Sequence, residues 1–243
     1  MRYLAALLAL CVFAPIRADE PAQPKEKFKE LFNGRDLTGW EGDEQIWSVE
    51  DGLLTGRTTA DTKLKSNTFL IWTGGEVDDF VLEAEFRFEG DNNSGIQYRS
   101  QRNPDKAKGK FSIVGYQADI HPAANYTGML YDEGGRGIAA ERGQQVTLGP
   151  GDAKEVKPLK GKFDAVDLAK WNKLRVRARG NVLIHRLNGK KTVHVIDNDE
   201  KNAEARGLLA LQVHAGPPMK VQYKSVRLKP LKTEKPAAEK AGS

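Results

Sequence analysis

The sequence predicts an all-β protein, a two-sheet antiparallel sandwich or jelly roll, and three observations carry that expectation. Apolar residues recur with period two in short runs, and Gly, Asn and Asp separate those runs. Stripes of helical period are scarce. At 243 residues, with 39% hydrophobic and 29% charged residues and a mean hydropathy of -0.57, the chain can bury a core and is not a multi-span membrane protein.

Taken from the amino end, Arg2, an apolar run from Leu4 to Phe13 and small Ala18 read as a secretory signal peptide over residues 1–18. A secreted or periplasmic protein is therefore expected. Cys11 is the only cysteine and lies in that run, so the mature chain has neither disulfide nor thiol chemistry. Residues 19–27, rich in Pro, Lys and Glu, read as a flexible leader, and residues 232–243 as a flexible basic tail. One domain over 28–231 lies between them, without internal repeat or linker.

The formal charge of +5 falls to +3 when Arg2 and Arg17 are set aside, and the four Lys and two Glu from Lys229 onward remove another +2. A folded part near +1 is not a nucleic-acid-binding surface.

Within the domain the clearest strand is Phe80 to Glu89, with Phe80, Leu82, Ala84, Phe86 and Phe88 on one face and Glu83, Glu85, Arg87 and Glu89 on the other. Next, Ile96 and Tyr98 oppose Gln97 and Arg99. After Gly115, Tyr116, Ala118 and Ile120 oppose Gln117, Asp119 and His121. The stretch from Glu133 to Lys170 lacks periodicity and reads as loops with room for a short helix. Leu174, Val176 and Ala178 then alternate with Arg175, Arg177 and Arg179, and Asn188-Gly189 closes a hairpin of type I′ geometry. In the last strand pair Leu209, Leu211 and Val213 oppose Gln212 and His214.

The polar faces carry the chemistry. If those strands are neighbours, Glu83, Glu85, Gln97, Arg99, Gln117, Asp119, His121, Gln212 and His214 form one surface of amides, carboxylates and imidazoles. Such a surface suits a sugar, whose paired hydroxyls need planar polar groups and whose ring stacks on an aromatic side chain. Trp40, Trp47, Trp72, Tyr126 and Tyr131 are the available rings, although a solvated face over a tryptophan core is the plainer alternative. Asp132 and Glu133, after Tyr131, read as helpers or turn residues, and His185 and His194 as structural. No HExxH, CxxC, GxSxG, Walker or GxGxxG motif is present, which removes zincin, thiol, nucleophile-elbow and nucleotide chemistries. Asp91-Asn92-Asn93 and Asp197 to Glu200 each hint at calcium without a full ligand pattern.

The segments FKELFNGRDLTGW, IWSVEDGLLTG, DFVLEAEFRFEGDNNSGIQYRS, GYQADI, TGMLYDE, WNKLRVRARGNVLIHRLNG and GLLALQVHAGPPMKVQYKSVRLKPL resemble the 3-keto-disaccharide hydrolase domain family over essentially the whole of 28–231. The resemblance implies a concanavalin A-like jelly roll of the lectin/glucanase type and a carbohydrate substrate already oxidised at the 3-hydroxyl. A 3-keto group acidifies the hydrogen on C2, so a base can remove it and the enolate can expel the group at C1, after which water adds back for net hydrolysis or the unsaturated sugar leaves as a lyase product. On that basis Asp119 or His121 is the expected base, His214 or Glu133 assists the leaving group, and Arg99 with Gln117 holds the carbonyl oxygen. Glu85, Tyr131, Asp132 and Gln212 are expected to bind substrate. Many members carry Glu at the place of Gln117 and Gln at that of Asp119, so this chain resembles a variant branch. No cofactor is certain; a divalent cation on Asp119 and the histidines would stabilise the enolate, yet the four histidines form no ligand motif. The alternative is a non-catalytic carbohydrate-binding module of the same shape. Linkage specificity and oligomeric state are not legible.

Overall fold

The computed structural model describes residues 27–62 and 64–232, and they build two stacked sheets. The strands are β1 (Lys29–Glu30), β2 (Trp40–Glu41), β3 (Trp47–Glu50), β4 (Leu53–Arg57), β5 (Thr68–Trp72), β6 (Phe80–Gly90), β7 (Ser94–Arg102), β8 (Ile113–Ile120) and β9 (Leu130–Glu133). They continue with β10 (Gly137–Ala140), β11 (Gln144–Leu148), β12 (Lys154–Pro158), β13 (Asn172–Arg179), β14 (Val182–Leu187), β15 (Lys190–Asp197), β16 (Leu208–Val213) and β17 (Met219–Pro230). The ten-stranded sheet runs β12-β11-β15-β14-β13-β6-β17-β4-β3, with β1 added beside β17; the seven-stranded sheet runs β10-β9-β8-β7-β16-β5-β2.

This is the expected all-β jelly roll, with one departure: β11 and β15 pair in parallel, while every other strand pairing is antiparallel. The region from Glu133 to Lys170, expected as loops, contributes β10, β11 and β12. These are short, and β12 is exposed along its whole length, so it never acquires the one-sided apolar alternation that marks a strand in sequence. The only helical element among the described residues is a single 3-10 turn at Lys106–Lys108.

Alternation does the rest. Phe80, Leu82, Ala84, Phe86 and Phe88 from β6 join Leu174, Val176 and Ala178 from β13, and from the other sheet Ile96, Tyr98, Tyr116, Ala118, Ile120, Leu209, Leu211 and Val213 meet them in one core. Each large side chain so buried contributes about 1.5–3 kcal/mol. Trp40, Trp47 and Trp72 belong to this core, which withdraws them from sugar stacking. The hairpin at Asn188-Gly189 has both residues at positive φ, +49° and +83°, as a type I′ turn requires.

Among the described residues no helix is long and apolar enough to cross a membrane. The expected signal peptide lies outside them, as do the leader apart from Lys27 and the tail apart from Lys232.

Candidate active site

The outer face of the seven-stranded sheet is where the polar alternation converges. In register, Gly95 on β7 lies across from Asp119 on β8 and from Gln212 on β16, while Gln117 lies across from Gln97 on one side and Tyr131 on the other. Cross-strand partners share a face, so four neighbouring strands present their polar positions together. The result is a hollow of about 390 Å³ whose lining includes Gln117, Asp119, His121, Tyr131, Glu133, Gln212 and His214. Asn67, Asn93, Tyr126, Met129 and Ile138 complete it; sequence reasoning left these outside the proposed site, apart from naming Tyr126 as an available ring.

Asp119 is the chemically unusual group. It is buried, and its Oδ1 accepts a hydrogen bond from Gln117 Nε2 at 2.7 Å, the i, i+2 neighbour on the same face. Burial, assisted by the charge of Glu133 and opposed by the Gln117 bond, pushes its pKa up to about 7. Gly95 makes this arrangement fit, because the space a side chain would take there is filled by the Gln117 amide.

Glu133 sits at the end of β9 and is held by donors on both oxygens, Asn67 Nδ2 at 3.2 Å and Gln212 Nε2 at 3.5 Å. Its pKa is raised, chiefly by burial, against those two hydrogen bonds. Asn67 Oδ1 accepts from the Ala215 N–H at 3.1 Å, so the amide that clamps Glu133 also fixes the chain beside His214. Gln212 Oε1 is buried without a hydrogen-bond partner, an acceptor that a sugar hydroxyl would satisfy.

The two histidines are set as complementary tautomers by their backbone partners. His121 Nδ1 accepts from the Ala123 N–H at 2.9 Å, which leaves the proton of the neutral ring on Nε2. His214 Nδ1 lies 2.6 Å from the Ala215 carbonyl and must donate to it, which leaves Nε2 of the neutral ring as an acceptor. Burial lowers both pKa values, with His214 adding to the effect at His121. The His121 segment is pinned by Thr127, whose Oγ1 donates to the His121 carbonyl and accepts from its N–H, and Tyr126 packs edge-on against the imidazole at 5.0 Å.

Four expected residues lie elsewhere. Arg99 is buried away from the hollow because the β7–β8 register shifts between Tyr98 and Gln101, and Arg99 takes a positive φ of +50° at that bulge. Its guanidinium bonds the carbonyls of Asp78, Gly180 and Glu204 and the Asp79 carboxylate, tying loops together. Glu85 has the polar parity but belongs to β6 in the other sheet, where it faces Lys173 and Lys224. Glu83 shares that outer face. Asp132 falls between Tyr131 and Glu133 and so points to the opposite side, where Arg136 Nε donates to it at 2.8 Å.

Among the described residues no three His, Cys, Asp or Glu side chains gather as metal ligands.

The geometry has relatives of known structure. A candidate glycosyl hydrolase from Parabacteroides distasonis is 22% identical over 84% of this chain and 94% of its own, with a TM-score of 0.53. A second from the same organism is 16% identical over 84% of this chain and 100% of its own, at a TM-score of 0.54. The carbohydrate-binding module CBM66 from Bacillus subtilis is 16% identical over 77% of this chain and 93% of its own, at a TM-score of 0.50. At these identities they establish the shared jelly roll. No curated protein sequence matches the chain. The family model described as a 3-keto-alpha-glucoside-1,2-lyase-like domain matches residues 27–229, and this carbohydrate-active, glycosyl hydrolase-like family is the one to which the chain belongs.

Proposed function

We propose that the protein cleaves 3-keto-glycosides by elimination across C1 and C2 followed by hydration, with Asp119 as the base. The observation that carries the reading is a buried carboxyl with a pKa of about 7 on the floor of a polar cleft. A base near neutrality combines a useful ionised fraction with the basicity needed to take a carbon-bound proton.

In this reading Asp119 removes the C2 proton, and the electron pair moves toward C3 to place negative charge on the ketone oxygen. His121 Nε2–H is the fixed donor for that charge, in the place expected of Arg99. Collapse of the enolate expels the oxygen at C1, and the proton gained by Asp119 is available to it. Hydration is the same sequence in reverse with water in place of the departed alcohol, so one constellation serves both halves. His214 Nε2 offers an acceptor for the incoming water, Glu133 holds up the basicity of Asp119, and Tyr131 supplies a ring for the sugar.

A binding module of the same shape has no use for Asp119 as it stands. A desolvated carboxyl without a cationic partner is costly to retain, whereas amides would bind hydroxyls equally well. Asp119→Asn therefore separates the readings: turnover of a 3-keto-disaccharide should fall by at least about a thousandfold while the affinity for substrate stays within a few fold. Retained turnover would remove Asp119 as the base. The apolar run at the amino end supports a secreted or periplasmic location for the enzyme.

A further inference from the structure

The outer face of the ten-stranded sheet, on the opposite side from the cleft, is organised around positive charge. One row runs straight across five strands in register: Arg227 on β17 faces Glu83 on β6, which faces Arg175 on β13, which faces Arg186 on β14, which faces Lys191 on β15. Glu83 is shared by two of the cations, with Arg175 at 2.6 Å and Arg227 at 2.5 Å. Arg186 and Lys191 have no carboxylate partner among the described residues, and neither has Arg177, one pleat further along β13. Like charges directly opposite one another destabilise a sheet, and here three occur on consecutive strands. In a folded part that is close to neutral by composition, this is segregation of charge rather than general basicity.

The row also lines a depression. Lys173, Arg175, Arg177 and Arg186 surround a hollow of about 500 Å³, with Ile184 contributing apolar surface and Glu83 the single carboxylate. Neighbouring strands are about 4.8 Å apart, so Arg175, Arg186 and Lys191 form a linear array of cations with a repeat comparable to the length of one pyranose unit. Guanidinium groups at that spacing match planar carboxylates, and apolar Ile184 matches the face of a sugar ring.

We propose that this face binds a linear acidic polysaccharide, one carboxylate per sugar, laid across the strands along the Arg175–Arg186–Lys191 row. The interaction anchors the protein on a uronate polymer and is independent of the cleft on the other sheet. Calorimetric titration with galacturonate oligosaccharides tests it, with dextran as the neutral control and phosphatidylglycerol vesicles as the other anionic surface. The oligosaccharides should bind with an affinity that falls steeply as salt rises, and dextran should not bind. An Arg186→Gln, Lys191→Gln double variant should weaken binding by about tenfold or more, with turnover in the cleft unchanged and a melting temperature no lower than wild type, since it relieves the opposed charges of Arg175, Arg186 and Lys191. Undiminished binding by that variant, no binding of the oligosaccharides, or binding to the vesicles alone would each overturn the proposal.

Discussion

The substitution Gly95→Ala reaches the proposed base without touching it. Gly95 sits in register between Asp119 and Gln212, and a Cβ built on it falls 2.4 Å from Gln117 Cδ, 2.5 Å from Cγ and 2.8 Å from Nε2. That is roughly 1 Å inside ordinary carbon contact. The Gln117 side chain has little room to retreat, being itself buried and backed by Gln97. Overpacking of this kind costs about 1–3 kcal/mol, which for a domain of this size lowers the melting temperature by about 4–8 °C at the middle of that range. The functional effect has a defined sign. Gln117 donates to the Asp119 carboxylate and holds its pKa down against burial. Displacing that amide raises the pKa further, and the acid limb of the turnover profile moves to higher pH by about one pH unit, the value of one charge-assisted hydrogen bond. Differential scanning fluorimetry and a pH series of kcat/KM on a 3-keto-disaccharide read both effects. A variant with wild-type melting temperature and an unmoved acid limb would refute the role given to Gly95 and to the Gln117–Asp119 bond.

Other expectations follow from the same groups. In the wild type kcat/KM should rise with pH through about 7 as Asp119 ionises; the limb should have no histidine contribution there, because His121 and His214 are both held below the ordinary value, and a limb near that of a normal carboxylate would exclude Asp119. Glu133→Gln removes the negative charge that raises Asp119, so the acid limb should shift to lower pH, opposite in direction to Gly95→Ala. Because the folded pKa of Asp119 lies above its unfolded value, its contribution to stability is complete below about pH 4 and is lost as pH rises through about 7. Urea unfolding should therefore show Asp119→Asn gaining on the wild type across that window and levelling above it. His185 is buried with Tyr98 Oη 2.8 Å from Nε2 and the Met129 carbonyl 3.1 Å from Nδ1, and burial drives its pKa down to about 4. Its stabilisation is present above about pH 6.5 and lost as pH falls through about 4; His185→Phe should cost at least about 2 kcal/mol near neutrality and abolish that acid dependence in the same unfolding assay.

The fold was legible because apolar and polar residues alternate along many strands, including β7 and β8, which are buried on both faces but keep their polar residues on one of them. In β13 the burial alternates residue by residue, and in β6 every apolar position from Phe80 to Phe88 enters the core. Alternation is a direct record of such packing. It fails where a strand has no buried face to record: β12 is exposed throughout, and β10 is four residues long. It also cannot tell which sheet a strand joins. Glu85 and Gln117 have the same standing in the sequence, each a polar residue between apolar neighbours, yet one pairs with Lys173 across the ten-stranded sheet and the other lines the cleft.

The site shows the same limit in sharper form. Gln117, Asp119, Gln212 and His214 could be gathered from parity alone, because β8 and β16 keep their period up to the residues that matter. Arg99 could not be placed, since one irregular step after Tyr98 is enough to send a side chain to the wrong face, and nothing in Tyr98-Arg99-Ser100 marks a bulge. A glycine is the usual signal for positive φ, and here an arginine occupies it, at a cost of about 1–2 kcal/mol. Four hydrogen bonds and ion-pair contacts from its guanidinium compensate. Its displacement changes the chemistry as well as the map. In the proposed reaction, without a guanidinium in the cleft, the charge that develops on the substrate oxygen would be met by a neutral donor, and the backbone contact that places the His121 proton on Nε2 would then be a requirement of that reaction rather than an incidental turn.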